Sequence, residues 1–259
     1  MKMYWLALGF VVSVTACASN FSQYYRDYSS GIEYVAPATK DPRIVNVSGS
    51  PQEVVYQMYT NGYVLVGESA FNASPEDTSG ALAQAKKVGA ELVVLESKYT
   101  NTVNGSIPLT TQQTVTSRTN GTATAYGPRG MATGTYSGTT TTSVPTTTNI
   151  PYSVRRYDQN ALYFAPMKEA CIGAFLEDLT DSERAMLGTN KGARVAAVRK
   201  GGPAYDADVL PHDYITTFNQ EPFTEATPPP NRGQVFELEI VRGAEKVNVQ
   251  VRGGLGCSE

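Results

Sequence analysis

The chain is poor in the residues that most active sites use. It has one histidine, His212, and three cysteines among 259 residues. A Ser-His-Asp triad needs a histidine beside its nucleophile, and zinc sites usually take several histidine or cysteine ligands. The sequence also has no Gly-x-Ser-x-Gly elbow and no phosphate-binding glycine loop. We therefore expect no catalytic residue, no metal and no cofactor, and we predict that the protein is not an enzyme.

A block of basic residues is also missing. The chain has 21 Lys and Arg against 24 Asp and Glu, which gives a net charge of -3. Proteins that bind nucleic acid use a concentration of positive charge to contact the phosphates. The composition therefore predicts no nucleic-acid partner.

Long hydrophobic runs are absent except for one near the start of the chain. This run extends from Met3 to Val14 and follows a single charge at Lys2. It is shorter than the ~20 apolar residues that cross a bilayer. A positive charge, a short apolar run and small residues are the parts of a secretory signal peptide. We assign residues 1–16 to this signal peptide.

The small residues at the end of that run carry a more specific motif. Val14-Thr15-Ala16-Cys17 resembles the lipobox of bacterial lipoproteins. The resemblance implies that Cys17 becomes the first residue and carries lipid, including an acyl chain such as palmitate. Because Ala18 rather than aspartate follows the cysteine, the family pattern implies attachment to the outer membrane, facing the periplasm. The alternative is an ordinary signal peptide with a chance cysteine.

The polar, tyrosine-rich segment 17–41 is interpreted as a tether between the lipid anchor and the folded protein, either free or laid on the folded domain through its tyrosines. An α/β pattern follows over residues 42–167. Ser50-Pro51-Gln52-Glu53 has the signature of a helix start, and Ser74-Pro75-Glu76-Asp77 repeats it. Apolar runs between these signals predict a strand-helix-strand-helix-strand order, with helices packed on a sheet. The arrangement resembles a small α/β sandwich domain found in several bacterial lipoproteins, a resemblance that implies no activity.

The α/β pattern is interrupted by an insertion of different composition at about residues 100–153. Threonine, serine and glycine dominate it, with runs such as Thr139-Thr140-Thr141-Thr142. Few large apolar side chains accompany them, so the insertion cannot bury much surface. The sequence leaves open a long hairpin, a disordered loop, a glycosylated linker or a plain spacer.

Residues 168–259 contain a series of motifs in a recognisable order. Its most distinctive blocks are Gly201-Gly202-Pro203-Ala204, Leu210-Pro211-His212-Asp213 and two alternating runs joined by Arg242-Gly243-Ala244-Glu245. The series resembles the PDZ domains of HtrA-type periplasmic proteases, without the protease domain. The resemblance implies a PDZ-like β-barrel or sandwich with short helices, so the predicted fold class of the whole chain is α+β.

The PDZ resemblance also implies a peptide-binding loop. PDZ domains receive the C-terminal carboxylate of an extended peptide on backbone N–H groups, and the peptide adds a strand to the sheet. The matching loop here is Ile172, Gly173, Ala174 and Phe175. The helix that should form the other wall of the groove is replaced by a short connection containing Pro228-Pro229-Pro230. Proline disfavours a helix and favours an extended strut.

Cys171 and Cys257 remain after processing. An exported protein meets an oxidising compartment, and the first and last strands of PDZ-like folds are neighbours. We predict a disulfide between them, with two unpaired thiols as the alternative.

The leading functional hypothesis is a non-enzymatic, lipid-anchored envelope protein whose PDZ-like module binds another envelope protein. The alternative is an adaptor that presents protein C-termini to a protease or secretion machine.

Overall fold

The computed structural model describes residues 19–32 and 34–259. The predicted signal peptide and Cys17 therefore lie outside the described residues. The chain forms two compact units, one of which is Thr100–Arg156 and the other the remainder. No helix in the described part of the chain is long and apolar enough to cross a membrane.

The larger unit contains a first, mixed sheet of five strands with helices on both faces. Its strands lie in the order β1-β3-β5-β4-β2, with β2 and β4 parallel and β1, β3 and β5 antiparallel neighbours. The elements in chain order are α1 (Asn20–Gln23), β1 (Tyr25–Asp27), β2 (Arg43–Ile44), α2 (Pro51–Thr60), β3 (Tyr63–Ala73), α3 (Thr78–Lys87), β4 (Leu92–Gly127) and β5 (Gly130–Pro166).

Two separate cores cover the two faces of this sheet. Tyr163 and Phe164 are adjacent in β5, and both are fully buried, so they pack on opposite faces. Tyr163 belongs to a core that includes residues of α1 and α3, whereas Phe164 packs with Val54 and Met58 of α2. The predicted α/β sandwich is therefore present.

The starts of the two helices α2 and α3, which pack on this sheet, were predicted with unequal accuracy. Helix α2 begins as expected, with a capping box. The Ser50 hydroxyl oxygen accepts a hydrogen bond from the Glu53 N–H, and the Glu53 carboxylate accepts one from the Ser50 N–H. Helix α3 begins later than Ser74, because Asp77 is its N-cap and accepts the Ser79 N–H at 2.7 Å. Glu76 instead accepts the Asn20 N–H and fastens α1.

Residues 20–27 of the predicted tether 17–41 belong to the folded unit, so this part of the segment is laid on the domain rather than free. Phe21 is 3% exposed and lies in the core with Ala81 and Ala85. The backbone of β1 pairs with β3, and the Tyr25 hydroxyl donates to the Val66 carbonyl at 3.0 Å. The segment has too few apolar residues for a visible period, but one buried phenylalanine and one strand pairing are enough to hold it.

The second sheet of the larger unit has six strands, with β11-β10-β8-β7-β6 in order and β9 paired to β8. The sheet stays open rather than closing into a barrel, and the α+β class is confirmed. The elements are β6 (Ala174–Asp178), α4 (Asp181–Leu187), β7 (Ala193–Val198), α5 (Pro203–Asp206), β8 (Tyr214–Phe218), β9 (Glu221–Pro222), β10 (Val235–Arg242) and β11 (Glu245–Arg252).

The core of the second sheet comes from the alternation seen in the sequence. Phe236, Leu238 and Ile240 of β10 are at most 2% exposed, and the residues between them face outward. The turn before β8 needs left-handed backbone at two non-glycine residues, Asp208 (φ 57°) and His212 (φ 73°). Asp213, which follows, is buried and accepts the Leu210 N–H at 2.8 Å.

The smaller unit, Thr100–Arg156, is a two-stranded antiparallel β-ribbon formed by β4 and β5. The chain turns at Gly127-Pro128-Arg129-Gly130. Of the alternatives that the composition left open, the structure adopts the long hairpin. Three contacts fix its register: Thr110 with Thr147, and the rings of Tyr152 and Tyr136 over Gly105 and Gly121.

Candidate functional site

The predicted peptide-binding loop lies at the start of β6. Gly173 is buried and has φ of +80°, which a glycine adopts without strain. Its carbonyl accepts the Arg199 N–H at 2.8 Å, and the Ile172 carbonyl accepts the Ala204 N–H at 2.8 Å. These two bonds hold the loop between the end of β7 and the short helix α5.

The predicted cysteine pair anchors this loop to the chain end. Cys171 and Cys257 form a disulfide with their Cα atoms 4.3 Å apart. The Gly254 N–H donates to the Cys171 carbonyl at 2.8 Å. A side chain at Gly254 or Gly256 would overlap the backbone of residues 169–171, so the tail fits only with glycine at both positions.

The side chains of β6 divide between two neighbours. Ala174 and Leu176 pack against the core of the second sheet. Phe175 instead packs edge-on against Tyr59 of α2, with ring centroids 5.3 Å apart, and lies 5.9 Å from Tyr56. Phe175 was predicted to line a peptide pocket, but much of its ring is already occupied by contacts with the first sheet's helix.

Glu177, two residues further along β6, continues the same contact. Its carboxylate accepts hydrogen bonds from the Tyr56 hydroxyl and from Gln52, and it pairs with the Arg194 guanidinium. Burial and the bond to Glu177 both raise the pKa of Tyr56, which stays a hydrogen-bond donor at neutral pH. Together, Phe175 and Glu177 fix α2 against β6 through one aromatic and one polar contact.

A cavity of about 430 Å³ opens beside the loop. The four predicted residues Ile172, Gly173, Ala174 and Phe175 all lie on its wall. Its other lining residues come from both halves of the larger unit and include Tyr34, Tyr59, Met167, Lys168, Leu176 and Pro229. Burial raises the pKa of Tyr59 to about 12, so its hydroxyl keeps its proton well above neutral pH.

The far wall of this cavity lacks the helix that a PDZ domain would place there. Between Phe223 and Val235 the described chain makes turns but no helix. Pro230 is buried, while Pro229 is exposed and reaches the cavity. The proline strut predicted from the sequence therefore supplies a short part of the wall.

The outer edge of β6 is the other element of the site. β6 is the last strand of its sheet and, among the described strands, pairs with β7 alone. An edge strand presents unpaired N–H and C=O groups to which an extended chain can pair. The cavity and the strand edge adjoin each other, because Ala174, Phe175 and Leu176 of β6 also line the cavity.

Sequence reasoning missed two contributors, Tyr34 and Tyr59. Both were visible as tyrosines, but their positions in the cavity depend on how the first sheet packs against β6. A local pattern carries no signal for such a contact.

His212 lies on an exposed turn, and the described residues contain no cluster of three or more metal-ligating side chains.

Solved structures of the HtrA-type protease AlgW are similar to part of this chain. The structure with a decapeptide is 22% identical, with 36% of each chain covered and a TM-score of 0.28. The structure with a tripeptide is 22% identical over 36% of this chain and 39% of that one, with a TM-score of 0.29. The matched region thus spans little more than a third of these proteases. No protein-family model and no curated protein matches the chain.

Proposed function

We propose that this protein is a non-enzymatic, lipid-anchored protein of the bacterial outer membrane that binds another envelope protein through its PDZ-like module. The observation that carries the proposal is the free edge of β6 with the adjoining cavity. A strand edge offers backbone hydrogen bonds to an extended segment of a partner, and the cavity can receive one or two of its side chains.

The proposed binding is weak for an isolated peptide. The proline strut offers less apolar surface than a helix would, and each Å² of apolar surface buried contributes only ~25 cal/mol. Contacts with α2 also occupy part of the Phe175 ring. A folded partner can add contacts outside the cavity, so we favour a docking platform for a folded protein.

The first test concerns the ligand. A library of peptides with free apolar C-termini should bind with dissociation constants in the micromolar to millimolar range. This range corresponds to a binding free energy of about -4 to -8 kcal/mol. Isothermal titration measures these affinities, and amidated peptides show whether the carboxylate contributes. Gly173→Ala should weaken this binding because it forces a side chain into left-handed backbone at the loop.

The matched control for this variant is Gly188→Ala. Gly188 also has left-handed backbone, with φ of 66°, but it caps α4 and does not line the cavity. Submicromolar, carboxylate-dependent binding that Gly173→Ala abolishes and Gly188→Ala retains would contradict the docking-platform proposal. It would favour the second candidate, an adaptor that presents protein C-termini, for which the partly apolar cavity at the loop is the supporting observation.

The second test concerns the anchor. Cys17→Ser removes the thiol to which lipid would be attached, so the protein should stay unprocessed or be lost from the outer-membrane fraction. Membrane fractionation and intact mass measure both effects. Ala18→Ser, which leaves the cysteine in place, is the control. A Cys17→Ser protein with normal mass and normal fractionation would show that the lipobox resemblance is accidental.

A further inference from the structure

The ribbon Thr100–Arg156 has two chemically different faces. On β4 the odd-numbered residues include Val103, Ile107, Leu109, Val115, Ala123 and Ala125, and the register places them opposite the even-numbered residues of β5, including Tyr136, Val144, Ile150 and Tyr152. The opposite face consists mainly of threonine, serine, asparagine and glutamine, with three prolines, two arginines and, at the tip, Tyr126 and Met131. The sequence carried this period-two signal, but the abundance of threonine obscured it.

The prolines of the ribbon show where its backbone groups point. Pro108, Pro145 and Pro151 all lie on the polar face. Proline has no N–H, so within a ribbon it is tolerated where that position faces away from the paired strand. Because backbone groups in a strand point alternately to the two sides, polar-face residues direct their N–H and C=O groups outward.

These prolines also divide the ribbon along its length. They blunt the outer edges of its base, as proline does on natural edge strands. The tip has no such protection, since residues 109–127 of β4 and 130–144 of β5 contain no proline. In the described chain, β3 pairs with β5 only from Tyr157 onward, and β2 pairs with β4 only at Leu92 and Val93. Both edges of the tip are therefore open.

We propose that the ribbon tip pairs edge to edge with the tip of another copy of this chain, β4 of one copy against β5 of the next. A two-stranded ribbon is marginally stable in water, and added strands stabilise it. An edge of ~15 residues is roughly 50 Å long and 10 Å thick, or about 500 Å² per copy. Two such edges give about 1,000 Å², the size at which specific interfaces begin.

Charge favours one order of the strands at the seam. The ribbon contains no aspartate, glutamate or lysine, and its charges are four arginines, of which Arg129 lies in the turn and Arg155 and Arg156 lie at the base. Arg118 is the charged residue of the β4 tip segment, and residues 130–144 of β5 carry none. A β4–β4 seam would place the arginines of both copies on one short edge, whereas a β4–β5 seam places Arg118 against uncharged residues.

A β4–β5 seam has a consequence for assembly size. It uses a different edge of each copy and leaves one edge open at each end. Such head-to-tail contacts produce rings when the rotation closes and filaments when it does not. The pairing keeps the apolar faces of all copies on one side. This inference does not depend on the proposed peptide or lipid functions.

Crosslinking of the full-length chain tests the seam. One variant carries Thr114→Cys on β4 and a second carries Thr141→Cys on β5, and both side chains lie on the polar face. Adjacent strands lie ~5 Å apart, so a short bis-maleimide should join the two variants when they are co-expressed. In a β4–β5 seam, the same residue of neighbouring copies is two strands, or ~10 Å, away, so either variant alone should give less product than the mixture. The parent chain gives the background.

Thr116→Pro, added to the Thr114→Cys variant, should remove this product because it deletes an outward donor while leaving the ribbon's own ladder intact. Thr116→Ala is its matched control and should retain the product. The proposal would be overturned if Thr114→Cys alone gave as much product as the mixture. It would also be overturned if the mixture gave no product or if Thr116→Pro left the product unchanged. The comparison of mixed and single variants decides the strand order even if the proline variant folds poorly.

Discussion

Replacing Cys171 and Cys257 together by serine should destabilise the second sheet by about 4–5 kcal/mol, from the entropy of a loop of this length. The two residues are 86 positions apart, so their bond closes nearly the whole second sheet into one loop. Typical domains have only ~5–15 kcal/mol of total stability. The variant should therefore unfold at a much lower urea concentration than the parent chain.

Urea denaturation followed by circular dichroism and intrinsic fluorescence measures this difference. The parent chain after reduction and alkylation is the natural comparison, because it loses the same bond without a serine substitution. Its curve should shift in the same direction. A loss below ~1 kcal/mol in the serine variant would mean that the two chain ends are already held by their other contacts, such as the Gly254 to Cys171 hydrogen bond.

The second large effect is expected at Arg242. Its Nε–H and Nη2–H groups donate to the two carboxylate oxygens of Asp213 at 2.8 Å each, and Asp213 is 1% exposed. The hydrogen bonds to Asp213 raise the pKa of the Arg242 guanidinium above its usual value. Arg242→Met keeps most of the aliphatic stem but leaves a buried carboxylate without its cation, which should cost about 3–5 kcal/mol.

Two further variants separate the charge effect from lost packing. Asp213→Asn with Arg242→Met should recover part of the loss, because the amide oxygen can still accept the Leu210 N–H. Arg184→Met breaks an exposed pair with Asp181 and should leave stability almost unchanged. If Arg242→Met is no more destabilising than Arg184→Met in urea, the buried pair does not stabilise the turn.

The parts of the fold that the sequence predicted are those determined by neighbouring residues. The capping box at Ser50, the β10–β11 hairpin and the absence of a groove helix are all local features, set by hydrogen bonding, alternation and proline. The late start of α3 shows the limit of such reasoning. There Asp77 outcompetes the Ser-Pro signal, and Glu76 bonds to a residue 56 positions earlier.

The candidate site was only half predictable for the same reason. The residues from Ile172 to Phe175 were identified through their resemblance to a family loop, and they lie together beside one cavity. The contact of Phe175 with Tyr56 and Tyr59 joins segments more than 100 positions apart in the chain. Neither residue type nor spacing determines which tyrosine meets which phenylalanine over that distance.

The ribbon also affects how quickly the first sheet can form. The core segments of β4 and β5 are separated in the chain by the whole of Thr100–Arg156, and pairing of such distant segments slows folding through the entropy of loop closure. The turn at Gly127-Pro128-Arg129-Gly130 provides a local starting point, since a hairpin forms within ~1–10 μs. Pairing that spreads from this turn would bring the core strands together one residue pair at a time. The low-complexity insertion would then increase the rate at which the core segments of β4 and β5 pair in the first sheet.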